Sequence, residues 1–387
     1  MRYLILLSML VLSACAIVPA PNITEKPPAP PIIKNLYIVP SQPTVALSDI
    51  YTIDDIQKKQ FLSLYNSSSY LNLLPNKRIS RYLQENLGEF SFFADTLTAN
   101  ESLTRKQGNC LSMAIVTKAL AELVNVEAQF ELVATPPLYQ KAGDVILISQ
   151  HVRTLLFDPK PGELPGYDPL WRSFIRFDYF SAGQSYRLRK VDELEFHTMY
   201  YTNKAAEALG RNEDALAFWY ARQSLLISQS EPQTINILAM IHNRAGQEDY
   251  AEKLYQYGLK YSGENFELLH NYHQLLTDSN RLDEANVIEK RLRKYEDPNP
   301  YKWIDMGDKE YLAKNFSSAI YYYKKANKMA NYLHEGYAGI AKAHYSLGNL
   351  RSAKRAIKKA IKNTHNQDLA EVYRSQYESF QKHSNDG

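Results

Sequence analysis

Cysteine is almost missing from this 387-residue chain, which has only Cys15 and Cys110. A disulfide scaffold is therefore excluded. No Cys/His cluster has zinc-ligand spacing, so no metal or organic cofactor is expected. An excess of one charge is also lacking, with 45 Lys+Arg against 42 Asp+Glu and a formal net charge of +3. That balance does not suggest a dedicated nucleic-acid binder, which concentrates positive charge on one face. The apolar run from Tyr3 to Leu12 is about ten residues, too short to cross a bilayer. Hydrophobic residues still make up 45% of the chain, enough for packed cores. The length suggests two or three domains at roughly 100–200 residues each.

The short run has the form of a targeting segment. Arg2 gives a positive start, the run has the size of a signal-peptide core, and it ends in Leu12-Ser13-Ala14-Cys15. This tetrapeptide resembles a bacterial lipobox. The resemblance implies that residues 1–14 are removed, that Cys15 carries the lipid, and that 373 of the 387 residues remain. Two or more acyl chains at one end anchor stably. Ala16, where an Asp would signal retention, implies export to the outer membrane, facing the periplasm. Residues 15–44 are expected to form a tether, because Pro19, Pro21, Pro27, Pro28, Pro30, Pro31, Pro40 and Pro43 forbid helix and favour extended geometry.

The C-terminal half repeats. Aligning Ala215, Ala251, Ala285, Ala319 and Ala353 gives spacings of 36, 34, 34 and 34. Four positions on stand Trp219, Tyr255, Glu289, Tyr323 and Ile357; twelve before stand Asn203, Ala239, His273, Gly307 and Ala341. Asn212, Gly246, Asn280, Asn315 and Gly348 fall near the expected turns, where left-handed backbone is tolerated. A 34-residue period with small residues at helix crossings resembles the tetratricopeptide repeat. The resemblance implies an all-α solenoid of about five copies over residues 199–375, with a groove that takes a protein partner.

The chemistry-bearing residues lie between these parts. Thr98 and Glu101 make a capping box that starts a short helix. Gly108 breaks the chain, and Asn109 caps a second helix from about Cys110 to Val124 that is apolar nearly all round and so should be buried. Cys110 then sits at a helix N-terminus, where free backbone N–H groups and the dipole favour a thiolate. His151 is the only histidine between the tether and residue 196, and it opens a strand to Phe157. A Pro/Gly loop leads to a second strand from Ser173 to Phe180 that contains Asp178. If the two strands pair, Asp178 comes beside His151. The rival, Asp158, is seven residues along the same extended strand and about 23 Å away.

The order Gly108-Asn109-Cys110 at a helix start, then a strand, then His151 and Asp178 on the next two, resembles the transglutaminase-like fold of papain-type cysteine enzymes. The stretch Leu97-Thr98-Ala99…Leu103…Gly108-Asn109-Cys110-Leu111-Ser112 is especially similar to bacterial transglutaminase-like proteins that carry tetratricopeptide repeats. The resemblance implies an α+β domain over 45–190 with Cys110 as nucleophile, His151 as base and Asp178 as its orienter. It implies acyl transfer on a peptide, protein or envelope-polymer substrate, by amide hydrolysis, proteolysis or transglutaminase chemistry. The alternative is a non-catalytic lipoprotein scaffold that binds protein partners or an envelope polymer through its repeats.

Overall fold

The computed structural model describes residues 27–39, 44–87, 90–92, 95–142, 145–167, 170–179, 186–295, 299–364 and 366–385. The leader, Cys15 and residues 16–26 and 40–43 of the expected tether lie outside the described residues.

The N-terminal part opens with α1 (Leu47–Ile50), α2 (Asp55–Tyr65), α3 (Ser68–Leu71) and α4 (Pro75–Asn86). Asp54 caps α2 by accepting from the Gln57 N–H, and Pro75 starts α4 where a missing N–H costs nothing. There follow β1 (Ser91–Phe92), α5 (Ala99–Arg105), β2 (Gln107–Gly108), α6 (Cys110–Leu123), β3 (Ala128–Ala142), β4 (Val145–Phe157), β5 (Phe174–Phe177) and β6 (Tyr186–Val191). The last four strands make an antiparallel sheet in the order β5-β4-β3-β6. Apolar α6 is covered by this sheet and by α4 and α5, and Ala114, Ile115 and Leu120 are fully buried. β4 begins six residues before His151, so His151 falls inside the strand, not at its start. This part is an α+β unit built on a small sheet.

The remainder is a helical solenoid of tetratricopeptide type. Its pairs are α7 (Glu193–Gly210) with α8 (Asp214–Ile227), α9 (Pro232–Arg244) with α10 (Glu248–Tyr261), α11 (Phe266–Asp278) with α12 (Leu282–Leu292), α13 (Tyr301–Leu312) with α14 (Phe316–Met329), and α15 (His334–Ser346) with α16 (Leu350–Asn363). A final helix, α17 (Gln367–Asn385), covers the end, puts Tyr373 and Phe380 into the last core and runs past the expected limit of 375. The frame of the first copy differs from the sequence alignment. Ala217, not Ala215, is fully buried, and Ala217, Ala251, Ala285, Ala319 and Ala353 are then spaced by 34 throughout. Ala205 and Ala221 fall into the buried columns in this frame. The turns use positive φ at Asn212, Gly246, Asn280, Lys314 and Gly348; in the fourth copy it is Lys314, one residue before the expected Asn315. Helix crossings are tight enough that a Cβ on Gly307 or Gly339 would come within 2.5 Å of the Tyr323 ring.

Two hydrophobic cores divide the chain. The first runs from Ile50 through the α+β unit to Ile288 in α12, joined where Phe130 of β3 stacks on Phe196 of α7 at 3.8 Å. The second spans α13 to α17. The main break in packing thus falls between α12 and α13, not between the sheet and the repeats.

Residues 27–39, expected as free tether, lie instead along the first repeats. Tyr257 donates to the Pro28 carbonyl (2.8 Å), Ile33 N–H donates to His242 Nε2 (3.1 Å), Arg222 donates to the Lys34 carbonyl (2.8 Å) and Trp219 donates to the Ile38 carbonyl (3.1 Å). Pro30 is buried, and Ile32, Leu36 and Tyr37 pack against the first core. Prolines keep residues 27–31 out of helix, a turn closed by Leu36 N–H donating to the Ile33 carbonyl (3.2 Å) follows, and these apolar side chains give the segment something to bury. We call this segment the strap.

Candidate functional site

The loop before α6 sets the position of Cys110. Gly108 has φ 152°, and a Cβ there would meet the Ser112 Cβ at 2.5 Å, so glycine is required at this turn. Asn109 and Ser112 form a reciprocal capping box at the start of α6. The Ser112 hydroxyl also accepts from Leu97 N–H (2.8 Å). The Asn109 amide donates to Thr96 Oγ1 (2.6 Å), as does Asn203 of α7 (3.3 Å), while Thr96 N–H donates to Glu207 of α7 (2.7 Å). Burial pushes the Glu207 carboxyl up to about 7 against the opposing effect of nearby Lys204. The first repeat helix thereby holds the loop that carries Cys110. Sequence reading found the Thr98 capping box and the Asn109 N-cap but not the reciprocal bond from Ser112, nor Thr96, Asn203 and Glu207, whose pairing with one another spans more than 100 residues.

The three residues singled out from sequence come together. His151 is 2% exposed in β4, and its Nε2 is 2.6 Å from Asp178 Oδ1 just past β5. The β4–β5 register, Thr154 opposite Phe177, makes that approach possible. Cys110, 7% exposed, sits beside the same ring. Burial works against a charge on His151, but contact with the Asp178 carboxylate and the Cys110 sulfur outweighs it and pushes the imidazole up to about 9. Asp158 is engaged elsewhere: it accepts from Asn76 Nδ2 (2.6 Å) and from the Tyr167 hydroxyl (2.7 Å). Tyr179 closes one side of the site, donating to Thr117 Oγ1 of α6 (2.7 Å), and burial raises its phenol far above the usual range. A buried cross-strand ion pair, Arg153–Glu131 at 2.9 Å, stiffens the sheet two residues from His151. Among the described residues there is no group of three or more His, Cys, Asp or Glu arranged to hold a metal ion.

The fold and site define a class: an α+β unit with a Cys/His/Asp cluster, joined to a tetratricopeptide-type solenoid. No protein-family model matches the chain, and no curated protein matches it. Among solved structures, similar ones include Pseudomonas aeruginosa PilF, at 17% identity over 49% of this chain and 90% of that one, TM-score 0.30. Another is the Cut9–Hcn1 hetero-tetramer of the APC/C, at 12% identity over 49% of this chain and 37% of that one, TM-score 0.31. A third is YrrB, described as a TPR protein with an unusual peptide-binding site, at 14% identity over 46% of this chain and 92% of that one, TM-score 0.25. Likenesses at this level carry no argument about activity.

Proposed function

We propose that this protein is a partner-binding repeat protein of the bacterial envelope, anchored through Cys15. The observation that carries the binding reading is the strap. Backbone carbonyls and an N–H of a proline-rich segment that turns once at residues 33–36 are met one by one by donors and an acceptor on α8, α9 and α10. A surface that satisfies an irregular backbone in this way is a peptide-holding surface. The anchor rests on the Leu12-Ser13-Ala14-Cys15 sequence and its place after an apolar run.

A second reading adds catalysis, and it is supported by the proximity of Cys110, His151 and Asp178, the triad that the resemblance to transglutaminase-like proteins implies. Asp178 holds His151 through Nε2, so Nδ1 is the ring nitrogen able to exchange a proton with the Cys110 sulfur. In this reading the sulfur attacks an amide or ester carbonyl. The imidazolium gives its proton to the leaving group, and water or an amine resolves the thioester. In this reading backbone N–H groups at the start of α6 would stabilise the oxyanion.

Labelling of the intact membrane protein with a thiol-directed acyl probe separates the two. Catalysis requires that Cys110 be acylated in the folded protein and that His151→Ala slow this by roughly a hundredfold. A photo-crosslinker placed at exposed Tyr321 should capture defined proteins in wild type and in Cys110→Ala alike. Capture without acylation leaves the scaffold alone. Absence of both would overturn the whole reading.

A further inference from the structure

Charge is balanced over the whole chain but not along it. Residues 316–363, covering α14 to α16, contain ten Lys and Arg against one acid, Glu335, a net +9 where the whole chain has +3. A cleft of about 590 Å³ opens between these three helices, lined by Lys324, Lys328, Tyr337, His344, Arg355 and Lys359 among others. Among the described residues no ion pair engages Lys324, Lys328, Arg355 or Lys359. His344 is pushed down by burial and by the positive charges of Lys324 and Arg355, which shows the sign of the local field.

The 34-residue frame gives this cleft a meaning. Arg222, His242 and Tyr257 are the groups that hold the strap through the Lys34 carbonyl, the Ile33 N–H and the Pro28 carbonyl. Each has an equivalent three repeats, 102 residues, further along: Lys324, His344 and Lys359. Donor, acceptor and donor recur in the same order on the same helices of the pair. The two intervening faces do not repeat the set, having Gln256, Leu276 and Arg291, then Lys290, Glu310 and Lys325. In the first copy the strap covers the surface, and His242 and Tyr257 are buried. In the second copy Lys324 and Lys359 are exposed and His344 is half-buried, with no partner for its Nδ1 among the described residues.

We propose that the cleft between α14, α15 and α16 is a docking site for a non-helical, acidic segment of a partner protein. The proposal rests on the partner-binding reading of the repeats and says where and what they bind. The donor–acceptor–donor set matches the carbonyl, N–H and carbonyl groups of a non-helical peptide segment, as the strap shows. Selection for acidic side chains comes from Lys328 and Lys359, which stand where the strap surface has Leu226 and Tyr257, added to Lys324 and Arg355, which keep the cations of Arg222 and Lys253. Tyr337, Ile340 and Ala356 add an apolar floor that suits a peptide and gives nothing to a free inorganic anion. The strap of a second copy is a poor fit, because its only charged residues among 27–39 are cationic, at Lys34.

The test is fluorescence anisotropy on the full-length protein in detergent, using a short fluorescein-labelled peptide of alternating glutamate and proline. The expected result is saturable binding that weakens as salt rises. A matched glutamine–proline peptide should bind at least about tenfold more weakly. The Lys324→Glu/Lys359→Glu double variant should also lose about tenfold, with an unchanged melting curve, because both side chains are exposed. Lys59→Glu, on exposed α2 of the α+β unit, should leave peptide binding unchanged. Equal binding of the glutamine peptide, or no effect of the double variant, would overturn the proposal. So would tighter binding of a peptide of residues 27–39, which would make the occupant a second copy. Full displacement by inorganic pyrophosphate at equal concentration, or preferential binding of phosphatidylglycerol vesicles, would also overturn it in favour of phosphate chemistry. If the peptide fails while the crosslinker at Tyr321 still captures proteins, this site falls and the scaffold reading stands.

Discussion

Cys110, His151 and Asp178 are supplied by a helix start, a strand interior and a strand end, and each depends on a neighbour. Gly108→Ala should force the Ser112 side chain away and weaken the α6 cap, costing about 1–3 kcal/mol and lowering Cys110 acylation; a melting temperature equal to wild type would remove the steric argument. Asp178→Asn should reduce any acyl-transfer rate by roughly a hundredfold or more, whereas Asp158→Asn should act on stability through Asn76 and Tyr167. The reverse ranking would move the orienting role to Asp158. His151 has a defined pH sign. Its folded value of about 9 lies above the ordinary 6.5, so its contribution to stability is full below pH 6.5 and is lost as pH rises through about 9. Urea melts of wild type and His151→Ala should therefore converge above that pH, and a gap that widens with pH would contradict the assignment.

At the scale of elements, the strap is the least expected piece. His242 Nδ1 pairs with the Leu238 carbonyl at 2.7 Å while Nε2 faces the Ile33 N–H, so the docked ring is neutral with its proton on Nδ1. Burial pushes its pKa below 6.5. The sign is opposite to that of His151: this contact is full above pH 6.5 and weakens as pH falls, since a second ring proton would oppose the Ile33 N–H. Amide exchange of residues 32–37 should accelerate between about pH 6.5 and 5 relative to the sheet, and Arg222→Ala with Trp219→Ala should produce the same release at neutral pH. Exchange in the strap that tracks β4 at every pH would show that His242 does not govern docking.

The whole molecule has two cores that meet between α12 and α13, which predicts two unfolding units. Ala319→Trp should overpack a fully buried helix crossing and cost more than about 3 kcal/mol, and Gly307→Ala should press on Tyr323 for a smaller cost. Both should lower only the transition of α13–α17. Scanning calorimetry with tryptophan fluorescence checks this, and a single transition that shifts as one would mean the cores unfold together. The first repeat belongs energetically to the α+β unit, because α7 supplies Phe196 to the sheet and Asn203 and Glu207 to the Cys110 loop. Truncation at residue 192 should therefore disturb the cysteine site as well as remove the repeats.

The 34-residue period, the capping box at Thr98, the N-cap at Asn109, and the apolar helix after Cys110 were legible in the sequence because each is local or strictly periodic. A buried alanine column repeats because two helices must cross closely once per copy. The bonds between Thr96 and α7, the seating of the strap on α8–α10 and the frame of the first repeat were not legible. They depend on which surfaces meet across 100 to more than 200 residues, and no local pattern records that. Ala215 and Ala217 look alike in sequence, and only packing shows which one is buried. The basic cleft stands between the two cases. Its lysines are plain in the sequence, but overall charge balance hid them until the helices placed α14 and α16 on either side of His344. The sequence determined the repeat and the residue types at the site, and the tertiary structure decided which of them touch, because contact depends on long-range packing while helix period and capping do not.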